Sequence, residues 1–184
     1  MIIKTIPVGM LQTNCYIAAC DNTKDAILID PGDEADKILK EIKSGGYKIN
    51  RIIITHNHPD HIAALDKIKK ETLSKVFIGD REFNYNNLHT DGKLKDGEVY
   101  EVGGLKYKIM HAPGHSPGSV CLIFEKEKVI FSGDVLFNQG VGRTDLPGGS
   151  MEEMEMSLEK LFALNDEYVV YPGHGPATTI GNEK

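Results

Sequence analysis

The most informative motif of the chain is Thr55-His56-Asn57-His58-Pro59-Asp60-His61. It follows an apolar run, Ile52-Ile53-Ile54, that is typical of a buried strand, and it precedes residues 62–68, whose apolar spacing is helical. Three histidines and an aspartate thus lie in a tight turn at the carboxyl end of a strand, where open α/β sheets usually hold their sites. Imidazole nitrogens and carboxylate oxygens suit zinc and other first-row metals. A polar loop that is histidine-rich by coincidence is the alternative, and this density of ligand-type side chains disfavours it.

Length and composition indicate an ordinary globular protein. The chain has 184 residues, 40% hydrophobic and 26% charged, which suits a single domain with a substantial core over residues 1–184. Its net charge of −6 disfavours a nucleic-acid partner, since such a partner requires a basic face. No apolar run approaches the roughly 20 residues that cross a bilayer, and the N-terminus lacks signal-peptide features. We therefore expect a cytoplasmic protein that binds neither nucleic acid nor membrane.

The cysteines point to the same compartment. Cys15, Cys20 and Cys121 are odd in number, and the sequence contains no Cys-x-x-Cys. This pattern predicts reduced, half-buried thiols, as in a cytoplasmic protein.

The order of predicted elements gives the fold class. The first half predicts an antiparallel meander of three strands, a helix, the strand before the motif, one helix after it and a further strand: residues 2–6, 15–19, 26–30, 33–44, 49–54, 62–72 and 75–78. Residues 81–91 are polar and ambiguous, with a short helix and a loop as one interpretation. The second half predicts two hairpins, a helix and a last strand: residues 98–102, 105–110, 119–124, 128–131, 150–164 and 168–171.

These two similar halves favour two stacked sheets with helices outside, a four-layer αββα sandwich of the α/β class. Ser150 and Glu153 have the spacing of a capping box at the start of the last helix. We expect the apolar stripe of that helix to be core: Met151, Met154, Leu158, Leu161 and Phe162.

Three further ligand-type residues each follow a predicted strand in a turn. His115 lies between Pro113-Gly114 and Ser116-Pro117-Gly118, Asp134 follows Gly133, and His174 lies within Pro172-Gly173-His174-Gly175-Pro176. Taken singly, each is equally an ordinary turn residue. Together they repeat one arrangement, in which an apolar strand and small residues precede the ligand, so we expect them to join the motif at one site.

Three other residues have less direct roles. Asp30 ends a predicted strand, and it is either an acceptor that orients the histidine loop or a turn-forming residue. We expect His111 to hydrogen-bond the loop that follows its strand, and His89 to be a surface residue rather than a ligand.

The whole pattern resembles the metallo-β-lactamase fold superfamily. The quoted motif, then Pro-Gly-His, Ser-Gly-Asp and Pro-Gly-His-Gly follow in the order of that family and cover essentially the whole chain. The resemblance implies two divalent metal ions, with Zn expected and Fe or Mn also suited to these ligands. It places the first ion on His56, His58 and His115, the second on Asp60, His61 and His174, and Asp134 as the bridge between them.

Residues 136–149 are similar to glyoxalase II-like hydrolases and to persulfide dioxygenases. Within them, Arg143 is a candidate for binding a substrate carboxylate, and a structural salt bridge that closes the loop is the alternative. The chain ends ten residues after His174, so the resemblance is to short members without a C-terminal helical domain. The glutathione contacts of that domain are therefore not carried over. True β-lactamases of this fold have Cys where Asp134 stands, which disfavours their activity here.

The function that the resemblance implies is hydrolysis of a small-molecule thioester, as in hydroxyacylglutathione hydrolases. A hydroxide bridging the two metals would attack the carbonyl, with Asp60 orienting it as the catalytic residue. A persulfide dioxygenase is the first alternative, with one ferrous iron on His56, His115 and Asp134. A nuclease is disfavoured by the net charge, and a non-catalytic binding protein by the intact ligand set. The oligomeric state is not determined by these patterns.

Overall fold

Two six-stranded β-sheets form the centre of the structure, a computed structural model that describes residues 1–83 and 88–184. The strands are β1 Ile2–Val8, β2 Thr13–Ala19, β3 Asp25–Ile29, β4 Lys48–Ile54, β5 Lys75–Gly79, β6 Gly92–Leu94, β7 Val99–Val102, β8 Leu105–His111, β9 Val120–Phe124, β10 Val129–Gly133, β11 Leu136–Phe137, β12 Gly140–Val141, β13 Val169–Pro172 and β14 Thr178–Thr179. The helices are α1 Ala35–Gly45, α2 Pro59–Ile62, α3 Leu65–Thr72, α4 Asp80–Phe83, α5 Met151–Phe162 and α6 Ile180–Glu183.

The first sheet has the strand order β1-β2-β3-β4-β5-β6. The predicted meander is confirmed, because β1, β2 and β3 pair antiparallel. From β3 onward the pairing is parallel, so β3, β4 and β5 all end at the same edge. This edge receives the histidine motif, since His56 follows β4 directly after Thr55.

The second sheet has the order β14-β13-β10-β9-β8-β7. Both predicted hairpins are present, and Gly103 and Gly104 turn the first of them at φ values of 56° and 89°. Such positive φ angles suit glycine, because other residues meet steric strain there. The parallel pair β10 and β13 ends where Asp134 and His174 follow.

Side chains alternate between two apolar layers on every central strand. In β2, Ile17 packs into the layer between the first sheet and its helices, whereas Tyr16 packs between the two sheets. Phe124 and Phe131 of the second sheet meet Tyr16 in that central layer. A third layer packs α5 against the outer face of the second sheet. The predicted αββα sandwich is confirmed.

The prediction of a single helix after the motif is wrong, because the structure has two helices there. Helices α2 and α3 are separated at Ala63 and Ala64. The N–H groups of these two residues donate to the carbonyls of Gly32 (3.1 Å) and Pro31 (3.0 Å), respectively. These long-range bonds replace the helical ones that would have joined the two segments. The first helix begins earlier than predicted, at Pro59, so Asp60 and His61 lie on a helical turn.

Several short elements were not predicted, namely β6, β11, β12, β14 and α6. In the ambiguous segment, α4 agrees with a short helix, and residues 84–87 of that segment lie outside the described residues.

The start of α5 is capped as predicted by Ser150, whose Oγ accepts the N–H of Glu153 at 3.3 Å. The Ser150 N–H donates to the carbonyl of Gly114, so the Glu153 side chain pairs with Arg81 instead of closing the box. The assignment of the whole apolar stripe to the core is wrong for Met151, which is 53% exposed beside the Thr144 hydroxyl. The first turn of α5 lies against that exposed loop, whereas Met154 is fully buried.

All three cysteines are free thiols, as predicted. Half-burial is correct only for Cys20, since Cys15 and Cys121 lie on interior faces of their strands and are completely buried. Burial raises the pKa of the Cys121 thiol to about 12, so that thiol stays protonated. Within residues 1–83 and 88–184, no helix combines the length and apolar character that a membrane span requires.

Candidate metal centre

Loops from both sheets bring the seven predicted ligands to one edge of the sandwich. Their ligand atoms form three overlapping groups, each with all atoms within 4.8 Å of one another. The groups are His56, His58 and His115; His56, His61 and Asp134; and Asp60, His61 and His174. The first and third groups coincide with the two predicted ligand sets. Metal binding itself stays a prediction, but the convergence that it requires is present.

The first group is closely spaced. His58 Nδ1 lies 2.8 Å from His115 Nε2, and the His56 and His58 rings are 4.6 Å apart and nearly perpendicular. Imidazole nitrogens at this separation face the same point, which is an arrangement that a shared cation stabilises.

The second group surrounds the Asp60 carboxylate. Asp60 Oδ2 lies 3.2 Å from His174 Nε2 and 3.5 Å from His61 Nε2. Asp60 and His174 are each 27% exposed in their side chains, whereas His61 is completely buried. This group therefore opens toward solvent on one side.

Asp134 lies between the two groups. Its Oδ1 is 3.4 Å from His61 Nε2, and its Oδ2 is 3.5 Å from the Nε2 atoms of both His115 and His174. One carboxylate thus faces ligands of both sets, which is the position required of a bridge.

A buried network fixes the rings of His56 and His61. Asp30 Oδ2 accepts from Thr55 Oγ1 at 2.6 Å and from His61 Nδ1 at 2.9 Å, and Asp30 Oδ1 accepts the Thr55 N–H at 2.7 Å. Because the Thr55 hydroxyl proton points to Asp30, its oxygen accepts from His56 Nδ1, 3.1 Å away. Asp30 therefore has the predicted acceptor role, and with φ of 50° it also has a turn conformation.

Backbone carbonyls fix two further rings. His115 Nδ1 donates to the carbonyl of Arg143 at 2.7 Å, and His174 Nδ1 donates to the carbonyl of Leu11 at 3.1 Å. Thr13 Oγ1 donates to Asp60 Oδ2 at 2.8 Å. When His56, His61, His115 and His174 each carry a single proton, on Nδ1, each Nε2 presents a lone pair, as a metal ligand must.

Several buried polar atoms have no hydrogen-bond partner in the part of the chain that the structure describes, and three of them converge here. They are His56 Nε2, His61 Nε2 and Asp134 Oδ1. An unsatisfied buried polar atom costs about 1–3 kcal/mol, so three at one point require a compensating ligand. All three can donate a lone pair, and a cation therefore fits them.

The electrostatics agree with this interpretation. Burial acts to lower the pKa of His61, but the charges of Asp30 and Asp134 outweigh it and raise the pKa to about 10. Hydrogen bonds to Asp134 and Asp60 raise the pKa of His174 to about 10. Without a cation, a second proton on each of these two rings balances the clustered carboxylates, and a divalent cation would replace that proton and supply the same positive charge.

His56, His58 and Asp60 are already in the form that a metal ligand takes. Burial holds the pKa of His56 well below its usual value, and it also lowers the pKa of His58. Burial acts to raise the pKa of Asp60, but its hydrogen bond to His174 and the His61 charge bring it to about 2.

Gly173 allows the loops to close around the centre. A Cβ atom at Gly173 would lie 2.0 Å from Asp134 Oδ1 and 2.9 Å from His61 Cε1. No side chain larger than hydrogen fits between these two ligands without displacing one of them.

The Arg143 side chain takes the alternative predicted for it. Its Nε and Nη2 donate to the two carboxylate oxygens of Asp145, each at 2.7 Å, in an exposed salt bridge. Its contact with the centre is through the backbone carbonyl that holds His115. A role in substrate binding stays a prediction.

The remaining histidines behave as predicted. His111 Nε2 donates to the carbonyl of Pro117 at 3.0 Å and so ties the loop, and His89 is exposed. No sequence pattern indicated Thr13 or the carbonyls of Leu11 and Arg143, since any residue supplies a carbonyl.

Comparisons with known proteins agree with this geometry. The chain matches the family model of the Metallo-beta-lactamase superfamily over residues 8–174. It is 36% identical to the "Hydroxyacylglutathione hydrolase GloC" of Haemophilus influenzae, over 100% of this chain and 95% of that protein. Among solved structures, it is similar to BLEG-1 B3 metallo-beta-lactamase with a TM-score of 0.92 and 34% identity, covering 98% of this chain and 95% of that one. It is also similar to TTHA1623 in a di-iron-bound form, with a TM-score of 0.88 and 32% identity, covering 97% and 96%. This chain belongs to the metallo-β-lactamase superfamily.

Proposed function

We propose that this protein is a metal-dependent hydrolase whose substrate is a small thioester of the hydroxyacylglutathione type. The observation that carries the proposal is the pair of ligand groups that share Asp134, with three unpartnered lone-pair atoms aimed between them. The relative from Haemophilus influenzae, similar over 95% of its length, supports the choice of thioester.

The seven residues divide into two sets of three metal ligands and one carboxylate that faces both sets. His56, His58 and His115 would hold one divalent cation, and Asp60, His61 and His174 would hold the second. When bound, such a pair lowers the pKa of a shared water toward about 7 and polarises a substrate carbonyl. Asp134 would keep the two sets at a fixed separation, because its two oxygens face both.

Asp60 has the position of an orienting base. Its carboxylate lies at the solvent-facing side of the centre and is held by Thr13 and His174. There it would accept a hydrogen bond from the attacking water and direct the water's remaining lone pair at the carbonyl. The leaving group of a thioester does not need a proton donor. A thiol has a pKa of about 8.5, so it leaves as the thiolate.

A second candidate function is hydrolysis of a β-lactam: Asp134 in place of a cysteine disfavours it, but the likeness to BLEG-1 favours it. The same centre would serve, since a β-lactam is also attacked at a carbonyl carbon.

The test combines metal content with substrate choice. Elemental analysis of the purified protein is followed by assays with a glutathione thioester and with a chromogenic cephalosporin. Two metals per chain and hydrolysis of the thioester are expected. Cleavage of the cephalosporin alone would favour the second candidate. One iron per chain with oxygen uptake on a persulfide would overturn hydrolysis in favour of a dioxygenase.

A further inference from the structure

A buried carboxylate lies behind the metal centre and belongs to neither ligand group. Glu82 on α4 is 2% exposed. Its Oε1 accepts the N–H of Asn57 at 3.0 Å, and its Oε2 accepts the N–H of Gly118 at 2.8 Å and the Ser116 hydroxyl at 3.1 Å. Two loops that are far apart in sequence are thus tied to one side chain.

Both loops carry ligands of the first group. Asn57 separates His56 from His58, and Ser116 directly follows His115. The packing is close, because a Cβ atom at Gly118 would lie 2.1 Å from the Glu82 nitrogen. The distance between the two ligand loops therefore depends on the Glu82 carboxylate.

The second group has separate supports. Thr13 holds Asp60, Asp30 holds His61, and the Leu11 carbonyl holds His174. The hydrogen bonds of Glu82 reach none of these residues. A change at Glu82 should therefore affect the two groups unequally.

We infer that Glu82 is a positioning residue that sets the separation of the His56–His58 loop and the His115 loop, and thereby the affinity of the first ligand group for its cation. This inference rests on the proposed metal centre. Residues that orient metal ligands typically change metal affinity about 10- to 100-fold when they are substituted.

The main variant is Glu82→Gln, which keeps the shape of the side chain. One carboxylate oxygen becomes an NH₂ group. This NH₂ group then faces the N–H of Asn57 or of Gly118, and because both groups are donors, that hydrogen bond is lost. Metal-free wild-type and variant proteins are titrated with Zn²⁺ in competition with a chromophoric chelator. Two binding steps are expected for the wild type, and Glu82→Gln should weaken one of them by about 10-fold or more while the other changes less than about twofold.

Three controls separate positioning from general effects. Glu101→Gln removes the same charge at an exposed site on β7 and should leave both steps unchanged. Ile38→Val loosens the core under α1 and should lower the stability of the fold without weakening either step. Thr13→Val removes the hydroxyl that holds Asp60 and should weaken the other step, the one that Glu82→Gln spares.

The outcomes are distinct. Equal zinc affinity of Glu82→Gln and wild type in both steps would overturn the inference and leave the metal centre in place, as would equal weakening of both steps. A wild-type protein that binds no zinc would instead overturn the proposed centre. If Glu82→Gln does not fold, Ser116→Ala removes only one of the three hydrogen bonds and should weaken the same step to a smaller degree.

Discussion

Asp30 and His61 form a fully buried hydrogen-bonded pair, with Asp30 Oδ2 2.9 Å from His61 Nδ1 and almost no exposure of either side chain. The aspartate directly follows β3 in the first sheet and the histidine lies on α2, so the pair joins two parts of the ligand edge that are 31 residues apart in sequence. Its other oxygen and the Thr55 hydroxyl extend the network to His56. One carboxylate thus orients a ring in each ligand group.

Substitution of Asp30 by asparagine should lower both stability and metal affinity. The amide NH₂ would face either the Thr55 N–H or His61 Nδ1, leaving a buried donor without an acceptor. We expect a loss of about 1–3 kcal/mol in the free energy of unfolding of the metal-free protein. Zinc affinity should fall about 10-fold or more. Denaturant unfolding and chelator competition measure these effects, and Asp36→Asn, an exposed aspartate paired with Lys67, is the matched control.

Removal of the bridging carboxylate should abolish metal retention and turnover together. In Asp134→Ala, both ligand groups lose the side chain that faces them. Elemental analysis after dialysis and the rate of thioester hydrolysis are the two measurements. Full activity of this variant without bound metal would refute the proposed mechanism, and Asp36→Ala should behave as the wild type.

A single methyl group at Gly173 should disrupt the centre. The added Cβ would lie 2.0 Å from Asp134 Oδ1, so the carboxylate or the loop must move by about an ångström or more. Displacement on this scale typically costs about 100-fold in rate. We expect a fall in kcat of that size for Gly173→Ala.

The matched control for this substitution is Gly140→Ala. A Cβ at Gly140 meets nothing within 4 Å, so its rate should be unchanged. Equal rates for the wild type and Gly173→Ala would mean that the separation of these ligands does not limit catalysis.

Removal of metal should inactivate the protein and lower its stability, and both effects should reverse. A cation that binds only the folded state adds about 2.7 kcal/mol per site when its concentration is 100 times its dissociation constant. The unpartnered nitrogens of His56 and His61 identify where that stabilisation arises. Thermal unfolding with a chelator and then with added Zn²⁺, Fe²⁺ or Mn²⁺ measures the effect and ranks the metals. An unfolding temperature that none of these metals raises would contradict the prediction.

The two interpretations of Arg143 are separated by a pair of variants. Arg143→Ala and Asp145→Ala break the same exposed salt bridge, but only the first removes the guanidinium. If Arg143 binds a substrate carboxylate, Arg143→Ala should raise KM about 10-fold with kcat unchanged, and Asp145→Ala should not. Steady-state kinetics with the glutathione thioester decide between them. An equal effect of both variants would assign the pair to positioning of the loop that holds His115. Neither variant should change stability by more than about 1 kcal/mol, because exposed ion pairs contribute little.

The architecture and the identity of the ligand-type residues follow from local sequence patterns. Alternation of apolar residues and the placement of proline and glycine are local properties, so β4, the hairpin at Gly103-Gly104 and the cap at Ser150 were all predicted correctly. The ligand-type residues from His56 to His61 are neighbours in sequence, so their metal-binding chemistry can be recognised without the tertiary structure.

How those residues are grouped and supported depends on contacts that form only when the chain folds. The break at Ala63 and the acceptor role of Asp30 depend on contacts with distant segments. The ties of Glu82 to Asn57 and Gly118 involve backbone N–H groups, which every residue except proline carries. Such contacts leave no signature in residue type, because their energy comes from which segments meet and not from which side chains are present.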